Sequence, residues 1–424
     1  MVVIVPVPLK ESSVSDYTKL TSFGPVPEGF IWGTATAAHQ IEGGNTNTDW
    51  WRFEHTEGTG TKESSGDACD SFNRWREDLQ LVKDMGLDAY RFSIEWARIE
   101  PADGEFSTVA LDHYKEIMET ARGMGLKNVV TFHHFTTPLW LADMGGWTNP
   151  VIVEKFARYC DVAVKHFGEF IDVACTINEP NMVAWIGYDL GAFPPGHKGD
   201  MDSFRTATKN FAAAHRAARP VLKAGPGDFP VGITVAISDT RFHLDGDRNG
   251  PETSPFDLPE DFPGAEHKWL MVDAYLEAAE GDDFVGVQTY STHHVGPDGQ
   301  QLPHPEGQRV TQMGWPFSPA AIGNTVRYAA AKSGLPVIVT ENGVAATDDA
   351  DRVEYISVAL TALREAMNDG VDVRGYFYWS LLDNFEWASG FAPFFGLTKV
   401  DLKTFARSPK PSSAYYASLV ASSR

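Results

Sequence analysis

Two glutamates follow buried strands in this chain, in positions where carboxyl groups can donate a proton or attack an electrophilic carbon. Residues 173–178 form a mostly apolar run, which predicts a strand buried on both faces, and this run leads directly into Glu179. Pro180 ends the strand because proline has no N–H for the ladder. A second apolar run, residues 336–340, leads into Glu341 in the same way. Either glutamate alone could be a solvated loop residue, but the pair requires a fold that gathers strand ends.

Strand-like and helix-like segments alternate along the chain, as such a fold needs. Eight segments have the composition of strands, and their predicted bounds are 30–37, 89–94, 128–134, 173–178, 231–237, 284–290, 337–340 and 375–380. Between them lie helical patterns such as residues 72–85, where apolar side chains recur every three to four positions. Eight strand-then-helix units predict an α/β protein, a (β/α)8 TIM barrel whose long loops after the strands form the rim of an active site.

Length and composition favour one catalytic domain. The chain has 424 residues, 43% of them hydrophobic, and no Pro/Gly/Ser-rich linker divides it, so we predict a single domain over residues 21–424. Residues 1–20 are predicted to be a disordered leader, since they lack the basic start and cleavage site of a signal peptide. Three cysteines without a CxxC spacing argue against a disulfide framework or zinc site and favour a reducing cytoplasm.

The charge balance excludes several classes of partner. A formal net charge of −22 argues against binding to nucleic acid or to an anionic membrane surface. No run approaches the roughly 18 to 20 apolar residues that span a bilayer. The expected partner is therefore a small molecule, and composition leaves the oligomeric state open.

Polar and aromatic side chains also occupy the other predicted strand ends. Amides, carboxylates, a histidine and indoles around one cavity suit a sugar, which needs hydrogen bonds in its ring plane and an apolar platform for its C–H face. A lone histidine or tryptophan at a strand end is explained as readily by packing. His133 and His134 are adjacent, and side chains alternate between the two faces of a strand, so only one of them points inward. Arg91 is different, because a buried guanidinium requires a carboxylate, and we predict Glu341 as its partner.

Five blocks of sequence resemble the landmarks of glycoside hydrolase family 1, the β-glucosidase-like retaining enzymes, over about residues 30–410. The blocks are residues 30–43 (FIWGTATAAHQIEG), 90–96 (YRFSIEW), 176–180 (TINEP), 340–343 (TENG) and 379–387 (WSLLDNFEW). They occur in the order in which the family has them. One block is moderately specific, whereas five in order make a chance match negligible.

The resemblance implies a role for each matching residue. Glu179 would be the acid/base catalyst and Glu341 the nucleophile. Asn178 would bind the sugar 2-OH, while Arg91 and Tyr290 would hold the nucleophile and keep it ionised. Five further residues would bind the non-reducing sugar, the last of them by stacking beneath it: Gln40, His134, Glu386, Trp387 and Trp379.

The sequence also departs from the family pattern. Residues 134–138 are His-Phe-Thr-Thr-Pro where many members have His-Trp-Asp-Leu-Pro, and residues 288–290 are Gln-Thr-Tyr where they have Asn-Tyr-Tyr. These departures concern the leaving-group side of the pocket, where we expect three indoles: Trp147, Trp185 and Trp315. The intact Glu179 disfavours the thioglucosidase branch, in which a glutamine replaces the acid, and Glu386 disfavours the 6-phosphoglycosidase branch.

The resemblance implies a double displacement with two carboxyl groups about 5 to 5.5 Å apart. Arg91 should hold the pKa of Glu341 down, and the negative charge of Glu341 should raise the pKa of Glu179. Three functions remain open on this basis: a β-glycosidase acting on glucosides, galactosides or fucosides, a transglycosylase on the same site, and a catalytically silent carbohydrate-binding barrel. The acids and water suffice for the reaction, so we expect no cofactor and no metal.

Overall fold

The computed structural model describes residues 18–424, so the predicted leader lies outside the described residues except for its last three positions. Twelve strands are present in this part of the chain. Their bounds are β1 Ile31–Ala35, β2 Ala89–Ser93, β3 Lys127–His134, β4 Val173–Asn178, β5 Val231–Ala236, β6 Asp239–Phe242, β7 Val285–Thr289, β8 Thr292–Val295, β9 Val337–Asn342, β10 Val373–Trp379, β11 Thr398–Val400 and β12 Arg407–Pro409.

Eight of these strands close into a parallel barrel in the order β1-β10-β9-β7-β5-β4-β3-β2. The predicted TIM barrel is therefore confirmed, and each barrel strand overlaps one of the eight predicted segments. Because all eight strands run the same way, their carboxyl ends meet at one mouth. Glu179 directly follows β4 and Glu341 lies in the last two residues of β9, so both belong to this mouth.

Helices cover the outside of the barrel. Their bounds are α1 Ala38–Ile41, α2 Asp49–Glu54, α3 Ser71–Asp84, α4 Trp96–Ile99, α5 Thr108–Gly123, α6 Leu139–Asp143, α7 Val151–Phe167, α8 Pro180–Trp185, α9 Met201–Ala224, α10 Ala265–Lys268, α11 Ala274–Ala278, α12 Ala321–Ser333, α13 Asp349–Asn368 and α14 Pro411–Ala421. Most of the longer helices turn an apolar stripe inward; in α7, for example, Ile152, Phe156 and Tyr159 are fully buried. Within residues 18–424, no helix is long and apolar enough to cross a membrane.

Two of the long loops that follow barrel strands contain short strands that the sequence did not indicate. Strands β6 and β8 pair in parallel as a separate two-stranded sheet, from Asp239 opposite Thr292 to Phe242 opposite Val295. Each of the two segments is only four residues long, and their partners are more than 50 residues apart in sequence. Local patterns do not reveal such a pairing, because its hydrogen bonds exist only once the barrel has brought the loops together.

The barrel interior is filled with side chains below the mouth. Ala89, Val129, Cys175, Ile338 and Phe377 form a buried cluster inside the ring of strands. This layer makes the barrel a packed core rather than a pore. The polar side chains at the carboxyl ends of the strands therefore lie on an apolar floor, away from bulk water.

Candidate active site

Glu179 is held at the barrel mouth by an unusual backbone conformation. It has φ 42° and ψ 55°, the left-handed region, which costs a residue other than glycine roughly 1 to 2 kcal/mol. Pro180 begins α8 directly after it, and the backbone N–H of Glu179 donates to the carbonyl of Thr234 on β5 at 2.9 Å. The side chain is buried, and its Oε1 has no hydrogen-bond partner among the described residues. One oxygen of Glu179 is thus left available to another group.

Glu341 is surrounded by hydrogen-bond donors instead. Arg91 Nη1 donates to its Oε1 at 2.6 Å, and the Tyr290 hydroxyl donates to its Oε2 at 2.6 Å. The predicted pairing of Arg91 with Glu341 is present, with both side chains almost completely buried. Burial and the Glu341 charge raise the pKa of Tyr290 well above its usual value, so its hydroxyl keeps the proton that it donates.

Arg91 also connects the two strand ends that carry the glutamates. While Nη1 binds Glu341, Nη2 donates to Asn178 Oδ1 at 2.6 Å. Asn178 is the residue before Glu179, so one guanidinium fixes the positions of β4 and β9 at the mouth. Glu341 and the residue before Glu179 thus share one hydrogen-bonding partner.

A change of strand register precedes each glutamate. Val173 and Cys175 face the barrel interior, whereas Asn178 also faces inward although strict alternation would turn it outward. The pairing of β4 with β5 shifts register between Cys175 and Asn178. A similar shift separates inward-facing Ile338 from Glu341, in the pairing of β9 with β7. Irregularities of this kind re-aim side chains next to active sites, and here they turn Asn178 and Glu341 into the same space, where both bind Arg91.

The two glutamates differ in how readily they hold a proton. Burial raises the pKa of Glu179 well above its usual value, and the negative charge of Glu341 raises it further. Burial also raises the pKa of Glu341, whereas Arg91 and Tyr290 lower it. Arg91 thus holds the pKa of Glu341 down, as expected from the sequence, but desolvation outweighs the ion pair and the net pKa is raised. The difference between the two glutamates persists, since Glu179 accepts no hydrogen bond from a cation, and the proton therefore resides on Glu179.

Hydrogen bonds fix the protonation state and orientation of His134. Its Nε2 lies 3.1 Å from Asn178 Nδ2, which can only donate, so Nε2 accepts and Nδ1 carries the proton. Burial and the neighbouring Arg91 charge lower the pKa of His134 well below its usual value, which keeps the ring neutral. Nδ1 is buried without a partner among the described residues, so its N–H is available to a ligand. His133 turns the other way, against Trp147 and Phe211, as alternation requires.

The block around residues 379–387 places further polar groups beside these. Trp379 Nε1 donates to Glu386 Oε1 at 3.4 Å, and the Trp379 ring stacks with His134 at a centroid distance of 5.9 Å. Gln40 Nε2 donates to Asn384 Oδ1 and to the carbonyl of Phe385. The Gln40 amide is therefore oriented with Oε1 free, and this oxygen is buried without a partner among the described residues. Gln40 Oε1 and the His134 Nδ1–H are thus a free acceptor and a free donor, the kinds of group that bind hydroxyl groups.

Comparison with known proteins assigns this architecture to a family. The model of the glycosyl hydrolase family 1 matches residues 23–243 and 270–424. The chain belongs to glycosyl hydrolase family 1. It is accordingly a glycoside hydrolase, and family 1 enzymes are retaining glycosidases.

Several relatives illustrate the likeness. β-Glucosidase A of Thermotoga maritima is 34% identical over 93% of this chain and 97% of its own. A bifunctional β-D-glucosidase/β-D-fucosidase of Bifidobacterium breve is 32% identical over 93% of this chain and 98% of its own. The solved structure of the Thermotoga maritima β-glucosidase in complex with deoxynojirimycin is 32% identical, superimposes with a TM-score of 0.84, and covers 94% of this chain and 99% of that one.

The three tryptophans expected on the leaving-group side of the family 1 pocket lie in different environments. Trp315 contacts Tyr290 at a centroid distance of 5.8 Å and is only partly buried, so it adjoins the site. Trp185 is half-buried at the end of α8, where its indole donates to Asp189. Trp147 instead stacks on Phe211 at 3.5 Å, on the outward face of β3. Its indole is enclosed between the barrel and α9, which makes Trp147 a packing residue in this structure.

One polar residue at the centre of the site, Gln288, ends a predicted strand but was assigned no role from the sequence. The Gln288 side chain is buried, and its Nε2 donates to Asn178 Oδ1 at 2.8 Å. Its position two residues before Tyr290, which directly follows β7, was the available signal, because residues i and i+2 of an extended segment share a face. Within residues 18–424, no cluster of three or more histidine, cysteine or acidic side chains is suited to a metal ion.

Proposed function

We propose that this family 1 enzyme is a retaining β-glycosidase that removes terminal non-reducing β-D-glucosyl residues, with Glu341 as nucleophile and Glu179 as acid/base. The observation that carries the proposal is the asymmetry of the two buried carboxyl groups. Glu341 accepts hydrogen bonds from Arg91 and Tyr290, whereas Glu179 has a raised pKa and a free oxygen. The names of the relatives, most of them β-glucosidases, support the choice of glucose.

In the first step, the ionised Glu341 attacks the anomeric carbon while the bond to the leaving oxygen breaks. Glu179 transfers its proton to that oxygen, so an alcohol departs rather than an alkoxide. Arg91 and Tyr290 orient the carboxylate for attack, and the Glu341 ester that forms is the covalent intermediate.

In the second step, water cleaves this ester. Glu341 no longer carries a negative charge, so the charge that raised the pKa of Glu179 is gone. Glu179, having given up its proton, accepts one from the attacking water as the bond from the anomeric carbon to Glu341 breaks. The sugar leaves with its original β configuration and both carboxyl groups return to their starting states.

The sugar itself would be bound by the free polar atoms at the mouth. Gln40 Oε1 would accept from one hydroxyl and His134 Nδ1 would donate to its neighbour. Asn178 Nδ2 would bind the 2-OH with the hydrogen that it does not give to His134. Three further side chains would complete the pocket. The Trp379 indole would lie beneath the sugar ring, and Glu386 and the Trp387 indole would bind the remaining hydroxyl groups.

A panel of p-nitrophenyl β-D-glycosides, with the first-formed anomer followed by NMR, tests the proposal. We expect hydrolysis of the glucoside and release of β-glucose before mutarotation. Fucoside and galactoside complete the panel, because one relative is named as a β-fucosidase as well. Release of α-glucose first, or no hydrolysis of any β-glycoside, would refute the proposal.

Removal of the Tyr290 hydroxyl is expected to shift the acid limb of the pH–rate profile. In Tyr290→Phe, Glu341 loses a donor that lowers its pKa, so its pKa rises and the ionised fraction falls at low pH. The apparent pKa of the acid limb of kcat/KM should therefore move to higher pH. Tyr159→Phe is the matched control, because this buried hydroxyl donates to the Phe132 carbonyl instead. An acid limb that stays in place in Tyr290→Phe would contradict the assignment of Glu341.

Substitution of the tryptophans should separate binding from packing. We propose that Trp315 and Trp185 contact the leaving group, so Trp315→Phe or Trp185→Phe should change the ratio of kcat/KM between aryl and alkyl β-glucosides. Trp147→Phe should lower the melting temperature by removing part of its stack on Phe211, and leave that ratio unchanged. A change of aglycone preference in Trp147→Phe would assign it to the pocket after all.

We also propose that residues 21–424 form one catalytic domain and that the enzyme works in a reducing, cytoplasmic environment. All three cysteines are free and buried, which supports a compartment where disulfides are rare. Limited proteolysis that yields two stable fragments would contradict the single domain. Cell fractionation that places the chain outside the cytoplasm would contradict the location.

A further inference from the structure

Gln288 occupies the centre of the site and has no role in the mechanism above. It belongs to β7 and lies in register with Ala236 of β5 on one side and Glu341 of β9 on the other. Its side chain is only 1% exposed. Its Nε2 donates to Asn178 Oδ1 at 2.8 Å, across 110 residues of sequence.

The orientation of both amides follows from the donors around them. Asn178 Oδ1 accepts from Arg91 Nη2 at 2.6 Å, and a guanidinium can only donate, so this atom of Asn178 is the oxygen. Gln288 must then present its nitrogen to the same oxygen. Thr234 Oγ1 adds a third contact at 3.3 Å. The single Thr234 hydroxyl hydrogen is shared with the Ile177 carbonyl at 3.2 Å, so Arg91 and Gln288 are the two full donors to this oxygen. They direct Asn178 Nδ2 to the opposite side, toward His134 and the pocket.

We propose that Gln288 is a positioning residue for the glycosylation step: it locks the Asn178 amide so that Nδ2 meets the sugar 2-OH. This inference rests on the proposed function. Contacts to the 2-OH strengthen in the oxocarbenium-like transition state, so the orientation of the donor affects the rate more than ground-state binding. Gln288 also lies opposite Glu341 in the pairing of β7 with β9, which places it next to the nucleophile as well.

A neutral amide is the side chain that this position requires. A carboxylate at position 288 could not donate to Asn178 Oδ1 and would compete with Glu341 for Arg91. An apolar side chain would leave the Asn178 oxygen with one donor fewer. We therefore expect Gln288→Met, which keeps the length of the side chain, to lower the rate of glycosylation. Gln288→Glu should lower this rate more at neutral pH. The rate should recover partly at lower pH, where the new carboxyl group is protonated.

The test compares 2,4-dinitrophenyl β-D-glucoside with its 2-deoxy analogue, using kcat/KM, which reports glycosylation. In Gln288→Met the loss on the glucoside should exceed the loss on the 2-deoxy glucoside by about tenfold, the effect of one hydrogen bond. Thr289→Val is the matched control, since this neighbouring hydroxyl binds the Ile237 carbonyl and Thr325 outside the barrel. It should affect both substrates by the same factor.

Equal losses on the two substrates in Gln288→Met would overturn the inference and leave a merely structural role. If Gln288→Met does not fold, as judged by its melting curve, the isosteric Gln288→Glu answers the same question through its substrate ratio at neutral pH. The wild-type enzyme separates this inference from the proposed function. Hydrolysis of the glucoside with retention, together with equal losses in the variant, refutes only the role of Gln288.

Discussion

Glu341→Ala is expected to reduce kcat on an aryl β-glucoside by about 10⁴-fold or more, because it removes the group that forms the covalent bond. No described residue replaces it, since Arg91 and Tyr290 are hydrogen-bond donors aimed at the missing carboxylate. Release of 2,4-dinitrophenolate under saturating substrate measures the effect. Glu116→Ala is the matched control: this glutamate is exposed on α5, pairs with Arg76, and should leave kcat unchanged.

Rescue of Glu341→Ala by azide gives a second test, because the anomeric configuration of the product shows from which side the nucleophile attacks. Azide added to Glu341→Ala can enter the space of the missing carboxylate and attack the anomeric carbon from the same side. The expected product is the α-glycosyl azide, formed by a single inversion from a β-glucoside. A β-glycosyl azide from this variant, or near-normal turnover without azide, would show that another residue is the nucleophile.

The second large effect is expected from Glu179→Ala, and it depends on the leaving group. 2,4-Dinitrophenolate departs without protonation, so the first step should remain fast on the dinitrophenyl glucoside. An alkyl β-glucoside needs the proton, and its kcat/KM should fall by about 10² to 10⁴-fold, the usual contribution of general acid catalysis. Stopped-flow measurement should show a burst of one dinitrophenolate per enzyme followed by slow turnover, because the base for the second step is also missing.

Azide distinguishes the two glutamates in the same experiment. In Glu179→Ala it attacks the covalent intermediate in place of water, so the expected product is the β-glycosyl azide. Equal losses on the dinitrophenyl and alkyl glucosides would count against Glu179 as the acid. Glu179→Gln serves as an isosteric companion, since it keeps the buried volume beside the free Oε1 position while it removes the transferable proton.

The raised pKa of Glu179 also predicts the alkaline side of the pH–rate profile. The enzyme needs Glu179 protonated in the first step, and burial together with the Glu341 charge raises its pKa. Activity should therefore extend well above the usual pKa of a glutamate and fall only when Glu179 ionises. In Glu179→Ala the alkaline limb on the dinitrophenyl glucoside should disappear. A limb that persists there would belong to another group.

Much of the site could be predicted from sequence because its residues lie in short segments with recognisable local patterns. Apolar runs that end in Asn178-Glu179 and in Glu341 locate the catalytic candidates, since a buried strand and its terminator are both local features. The eight alternating segments predict the barrel, and the barrel requires strand ends to meet. The partner of Arg91 was predictable too, because a buried guanidinium has few alternatives.

Other features depend on contacts between distant parts of the chain. Strict alternation would turn Asn178 and Glu341 away from the barrel interior, and only the register shifts in the closed sheet turn them inward. Sequence reasoning placed Trp147 at the pocket because an indole near a strand end suits both packing and ligand binding. The position of Phe211 on a helix 64 residues later decides that it packs.

The sequence by itself determined the fold class, the two glutamates and their likeness to family 1, because periodicity, terminators and motif order are properties of short segments. Only the tertiary structure decided which way the net pKa of Glu341 moves, how the Asn178 amide is turned and which groups Gln288 contacts. The physical reason is that these properties depend on burial and on hydrogen bonds between strands, and neither exists before the barrel closes. The bond between Arg91 and Glu341, for example, joins residues that are 250 positions apart in sequence.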